Sequence, residues 1–122
     1  MTIMDAINTV DNLKHNAFSQ DDKVKWLSQL DLRVQRMIID THEGGRRRFA
    51  GYDQDVDGDT RLLVPAPFDE MYLRWLEAQI DYSNGEYGKY NNSITMFNAI
   101  WKDYENYYRR THMPKGHKIT YF

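Results

Sequence analysis

Seven large side chains recur along 87–108 at alternating steps of three and four: Tyr87, Tyr90, Ile94, Phe97, Trp101, Tyr104 and Tyr108. Steps of that size return to one face of an α-helix and to neither face of a strand, so this stretch reads as one long helix with a continuous stripe. Six of the seven are aromatic, far more rigid contact area than a single seam in a small domain needs. The stripe points to a core or a subunit interface. A base-stacking platform would interleave lysines and arginines with the rings, which this stripe does not do. Tyrosine also keeps a polar tip and suits the edge where packed surface meets water or a partner.

A chain of 122 residues forms one domain and buries roughly two thirds of the surface its unfolded form exposes. Sixteen basic residues against eighteen acidic ones leave a formal charge of -2, so net charge points to neither a nucleic acid nor a membrane, and any electrostatic role is local. The absence of cysteine excludes a disulfide framework, thiolate chemistry and thiolate zinc sites, and suits a reducing compartment. Residues 1–10 contain Asp5 and lack the apolar run of a signal peptide. No segment approaches the ~20 apolar residues that span a bilayer. The expectation is a soluble protein of intracellular origin with no membrane partner.

Ile3, Ala6, Ile7, Val10 and Leu13 mark a first amphipathic helix ending near Asn16. Ser19 with Asp22 resembles a capping box, so a second helix starts there, buries Val24, Leu27, Leu30, Val34, Met37 and Ile38, and runs over about 20–42 before Gly44 and Gly45. Residues 44–66 break the helical period. Phe49 and Tyr52 on one side and Leu62, Leu63 and Val64 on the other read as short strands of a hairpin, or as a long loop, with Asp57-Gly58 near the turn. A third helix is expected over 67–83, with Pro67 in its first turn. Glu70, Arg74, Glu77 and Asp81 form its single polar stripe and apolar residues cover the rest, so it is surrounded on several sides. Asn84-Gly85 turns the chain into the fourth helix, which reaches about Thr111. The fold class is therefore all-α: about four helices over 1–114, with 44–66 inserted and an extended tail over 115–122.

Candidate chemistry is thin. Asp53, Asp55, Asp57 and Gly58 reproduce the first half of a helix-loop-helix calcium loop, but Val64 stands where a bidentate glutamate belongs, so with Asp59 the cluster reads as a solvated acidic turn. Arg46, Arg47 and Arg48 suit phosphates or an acidic patch on a neighbouring protein. Three cations and four aspartates within fourteen residues also suggest opposite flanks of a head-to-tail ring. His15, His42, His112 and His117 lack a metal-binding pattern and read as surface or capping groups. No serine has a nucleophile-elbow context and no phosphate-binding glycine loop exists. A non-enzymatic protein without metal or cofactor is expected. After Pro114 the tail carries Lys115, His117 and Lys118 and the bulky Ile119, Tyr121 and Phe122; with Arg109 and Arg110 it is basic and aromatic-tipped, or else a final strand pairing with 49–64.

The strings Leu-Leu-Val-Pro-Ala-Pro-Phe-Asp-Glu-Met-Tyr, Trp-Leu-Glu-Ala-Gln-Ile-Asp-Tyr, Tyr-Asn-Asn-Ser and Tyr-Tyr-Arg-Arg-Thr-His-Met-Pro lie in order along 62–114. In them the chain resembles the small head-tail connector, or adaptor, proteins in the necks of tailed double-stranded-DNA bacteriophages. Residues 4–39 fit the same family less distinctively. The strings are packing sequences without a catalytic signature.

The resemblance implies a mostly helical domain assembling as a dodecameric ring beneath the portal protein. Such a ring lies in the virion neck, is assembled in the host bacterial cytoplasm, and extends a channel through which DNA passes without sequence-specific contact. It offers a docking surface to a stopper or tail-completion protein. Carried onto this chain, Arg109, Arg110, Lys115, His117, Lys118, Tyr121 and Phe122 become the portal-docking candidates. Arg46, Arg47, Arg48, Asp53, Asp55, Asp57 and Asp59 become candidates for the ring neighbour or the next neck protein. The rival readings are a stopper or tail-completion protein of the same neck, and a monomeric regulatory interaction module.

Overall fold

The computed structural model describes residues 1–42 and 49–114. Within them, four α-helices follow in order: α1 (Ile3–Leu13), α2 (Gln20–Val34), α3 (Glu70–Ser83) and α4 (Tyr87–Thr111). A π-helical turn, Gln35–Ile39, continues α2. No strand forms among the described residues, and no described helix is long and apolar enough to cross a membrane.

α1 starts on a reciprocal cap. Thr2 Oγ1 accepts from the Asp5 amide at 3.1 Å while Asp5 accepts from the Thr2 amide at 3.0 Å, so two otherwise orphaned donors are satisfied. These bonds, the one from the backbone amide first, also hold the Asp5 carboxyl below its ordinary range. Thr2→Ala is expected to cost about 1 kcal/mol by urea unfolding. α2 begins where the sequence places it, with Ser19 Oγ accepting from the Asp22 amide at 3.1 Å. It ends earlier than expected. The π turn closes at Ile39, and Asp40 and Thr41 bend the chain into the buried His42; Gly44 and Gly45 lie outside the described residues.

α3 is the centre of the molecule: α1, α2 and α4 all pack on it. Met71, Tyr72, Leu76, Ala78 and Ile80 are fully buried and Trp75 nearly so, as its apolar circumference requires. It starts at Glu70, not at Pro67, because turns between Pro65 and Phe68, Phe68 and Met71, and Asp69 and Tyr72 occupy the lead-in. Its polar stripe holds over Glu70, Arg74 and Glu77, where Arg74 reaches both carboxylates at 2.9 Å. Asp81 departs from it and is wholly buried. α4 rests chiefly on α3. The aromatic stripe is buried at Phe97, Tyr104 and Tyr108, half-buried at Tyr90, Ile94 and Trp101, and exposed at Tyr87.

The hairpin does not form. The backbone groups its arms would exchange are taken by other partners. Ile3 donates to the Thr60 carbonyl at 3.0 Å, Met4 to Gly58 at 3.1 Å, and the Leu62 amide to Met1 at 3.1 Å. Thr2 and Arg61 form an isolated antiparallel bridge. The first arm instead meets α2, with the Tyr52 amide donating to Ser28 Oγ at 2.9 Å. Gly51 makes that approach possible: its φ is +97°, and a Cβ there would stand 2.6 Å from Ser28 Oγ. Residues 49–64 are thus a strap laid across α1 and α2.

Candidate functional site

The strap is fastened from inside by Asp31, a fully buried acid on α2. Its Oδ2 accepts from the Tyr52 hydroxyl at 2.5 Å and the Leu63 amide at 3.1 Å, and its Oδ1 accepts from the Tyr72 hydroxyl at 2.6 Å. Tyr72 Oη in turn accepts from the Val64 amide at 2.8 Å. One carboxyl therefore ties α2, α3 and both ends of the strap. Burial pushes the Asp31 carboxyl above its ordinary range, although the two tyrosines and the amide pull the other way. Burial and the neighbouring carboxylate push both tyrosine hydroxyls upward. A buried acid engaged on all sides is a clamp, with no lone pair turned toward solvent.

At the tip of the strap Asp53, Asp55, Asp57 and Asp59 are exposed. Asp53 Oδ1 accepts from the Asp55 amide at 3.0 Å and Asp57 Oδ1 from the Asp59 amide at 2.9 Å, which shapes two tight turns. Among the described residues no three acids or histidines converge on a position that could hold a metal ion. Asp53 and Asp55 meet Asp21, Asp22 and Lys25 around a hollow of about 540 Å³ beside the start of α2. Arg109 and Arg110 are exposed on the last turn of α4, with Arg109 3.4 Å from Glu105. The acidic turn and this basic helix end lie on different elements. Arg46, Arg47, Arg48, Lys115, His117, Lys118, Tyr121 and Phe122 lie outside the described residues.

His42 is no surface group. Its ring is buried, its Nδ1 lies 2.6 Å from the Ile38 carbonyl, and it meets Tyr108 edge-on at 5.1 Å. His112 stacks on the same tyrosine at 3.8 Å, and Pro114 bridges to His42. Residues 112–114 thus lie beside the π turn.

Two features carry no mark in the pattern of motifs. One is an ion pair inside the bundle: Lys14 Nζ reaches Asp81 Oδ1 at 2.5 Å, joining the end of α1 to the end of α3. The other is a groove between α2 and α4, floored by Trp75 and Phe97, with Arg33 5.4 Å over the Trp75 ring. No protein-family model, curated protein or solved structure matches the chain.

Proposed function

We propose that the chain is a non-enzymatic structural protein of a tailed-phage neck, a head-tail connector that forms a ring under the portal. The ring extends the DNA channel and presents a docking surface to a stopper or tail-completion protein. The observation that carries this reading is the coincidence of the connector-like strings with the helical spine. They supply Val64, Tyr72, Trp75, Leu76, Ile80 and Tyr108, all buried in or around α3 and α4. The resemblance therefore falls on residues that specify the packing of the domain. Charged groups outside that spine, on the strap tip and the last turn of α4, are then surfaces available to neighbours.

Portal binding by the segment after α4 gives the direct test. A chain lacking residues 115–122 is expected to keep its helical circular dichroism and to lose co-sedimentation with the portal protein by more than tenfold. Undiminished co-sedimentation refutes the docking assignment. Mass photometry with and without portal separates the rivals: rings or portal complexes support the connector, binding only to a distal neck protein supports the stopper, and a monomer under both conditions supports the interaction module.

A further inference from the structure

The groove between α2 and α4 measures about 680 Å³ in its wide part and continues as a hollow of about 210 Å³ between Met37 and Trp101. Its α4 wall is the row Tyr90, Ile94, Phe97 and Trp101, and its α2 wall begins at Gln29 and passes through Arg33. The α4 row covers three turns, roughly 16 Å at ~1.5 Å per residue. Two rows of side chains at helical spacing over an apolar floor form a seat for another helix, as ridges enter a groove. Tyr82 and Met37 stand at its two ends with 57% and 61% of their surfaces exposed. Among the described residues lining it, Arg33 is the one ion and no carboxylate appears. A matching occupant is helical and brings an acid.

The same chain carries such a helix face. On the side of α4 turned away from the groove, Asn92, Met96, Ala99 and Asp103 follow at steps of four, three and four, and all are exposed. At ~100° per residue this row lies about half a turn from the groove wall, two residues further along, and is as long as it. It offers one long apolar side chain, one small residue that permits close approach, and one carboxylate.

We infer that the outer row of α4 from a second copy seats in this groove, with its Asp103 on Arg33. Met96 and Ala99 supply the apolar contact, and the ion pair sets register. Groove and row are different surfaces, so the contact is head-to-tail, and repetition closes a ring or extends a filament according to the rotation per copy. Each α4 is then a wall of its own groove and the filler of the next. The inference rests on the ring reading above and names the faces that meet.

The chain has no cysteine, which gives a clean background for cross-linking. Gln29→Cys and Ala99→Cys proteins, mixed under mild oxidation, are expected to form a disulfide-linked pair at least fivefold faster than Gln29→Cys mixed with Leu13→Cys. In parallel, Arg33→Glu and Asp103→Arg are each expected to weaken assembly at least tenfold by mass photometry, with unchanged circular dichroism. Mixing the two variants is expected to restore it, because each then meets an opposite charge. Cross-linking no faster than the control overturns the inference, whether the protein stays monomeric, reserves the groove for another protein, or assembles through other faces. Assembly indifferent to both charge reversals also overturns it. Closed rings without the cross-link leave the connector reading standing and remove this interface; the cross-link with charge rescue but open filaments keeps the interface and removes the ring.

Discussion

Asp31→Ala is expected to lower the unfolding free energy by about 3–5 kcal/mol, because this α2 carboxyl is what fastens the strap. The carboxyl takes up three donors: the Tyr72 hydroxyl is buried and has no solvent to turn to once it is gone, while Tyr52 and the Leu63 amide are half-buried and only partly able to recover a partner. Each stranded buried donor costs about 1–3 kcal/mol, and partial entry of water into the vacated space keeps the sum below the simple total. For a domain whose whole stability is on the order of 5–15 kcal/mol, that is a large share. Urea unfolding should show it as a shift in midpoint with the slope nearly unchanged. Tyr72→Phe removes one of those donors and the acceptor of the Val64 amide, so it is expected to cost about 2 kcal/mol. The double variant should cost clearly less than the sum, since both changes break one network. Additive losses would show that the two residues act separately.

The same residue carries a signed pH dependence. Because burial raises the folded-state pKa of Asp31 above its unfolded value, its stabilising contribution is complete below pH ~3.8 and is lost as pH rises through the folded value. Asp5 and Asp11 act in the opposite sense. Asp5 is lowered by its hydrogen bonds from Thr2. At Asp11 burial acts upward, but the bonds from Lys23 and Asn16 outweigh it. Their contributions are present above pH ~3.8 and fade as pH falls. Asp31→Asn keeps the shape and removes the titration, so the stability gap between wild type and this variant should be wider near pH 4 than near pH 7. Terms from Asp5 and Asp11 are common to both proteins and cancel in the difference.

Period and capping chemistry made the helices legible. Ser19 announced the first turn of α2, and the stripe ending at Tyr108 placed the end of α4 at Thr111. Local pattern failed where partners are remote in sequence. Leu62, Leu63 and Val64 look like a strand, yet their amides donate to Met1, Asp31 and Tyr72. Asp31 did leave a signal: it lies four residues after Leu27 and three before Val34, inside the apolar stripe of α2, where a charge has to be engaged or absent. Asp81 hid because its spacing matched the solvent stripe of Glu70, Arg74 and Glu77. The groove could not be read at all, since it exists only through the distance at which α2 and α4 settle on α3.

Lys14→Met is the second large effect, expected at about 3 kcal/mol. Asp81 has no exposed surface, its Oδ1 is held by Lys14 alone among the described residues, and its Oδ2 already has no hydrogen-bond partner. Removing the ammonium therefore leaves a buried carboxylate without any counter-charge, which costs far more than losing an exposed pair worth at most about 1 kcal/mol. Lys14 is itself partly open to water, with 23% of its side chain exposed, and some solvent can follow into its place, which keeps the loss at the low end for a broken buried pair. Position makes the change structural as well as energetic. The pair joins the C-cap of α1 to the last turn of α3, where the Asp81 carbonyl also accepts from the Glu86 amide and so helps shape the turn into α4. Adding Asp81→Leu to Lys14→Met should return most of the stability, because an apolar pair in that space leaves no charge to satisfy. A Lys14→Met cost under about 1 kcal/mol would mean that water reaches Asp81. Failure of Asp81→Leu to rescue would mean that the ion pair sets the helix geometry and does more than neutralise the acid.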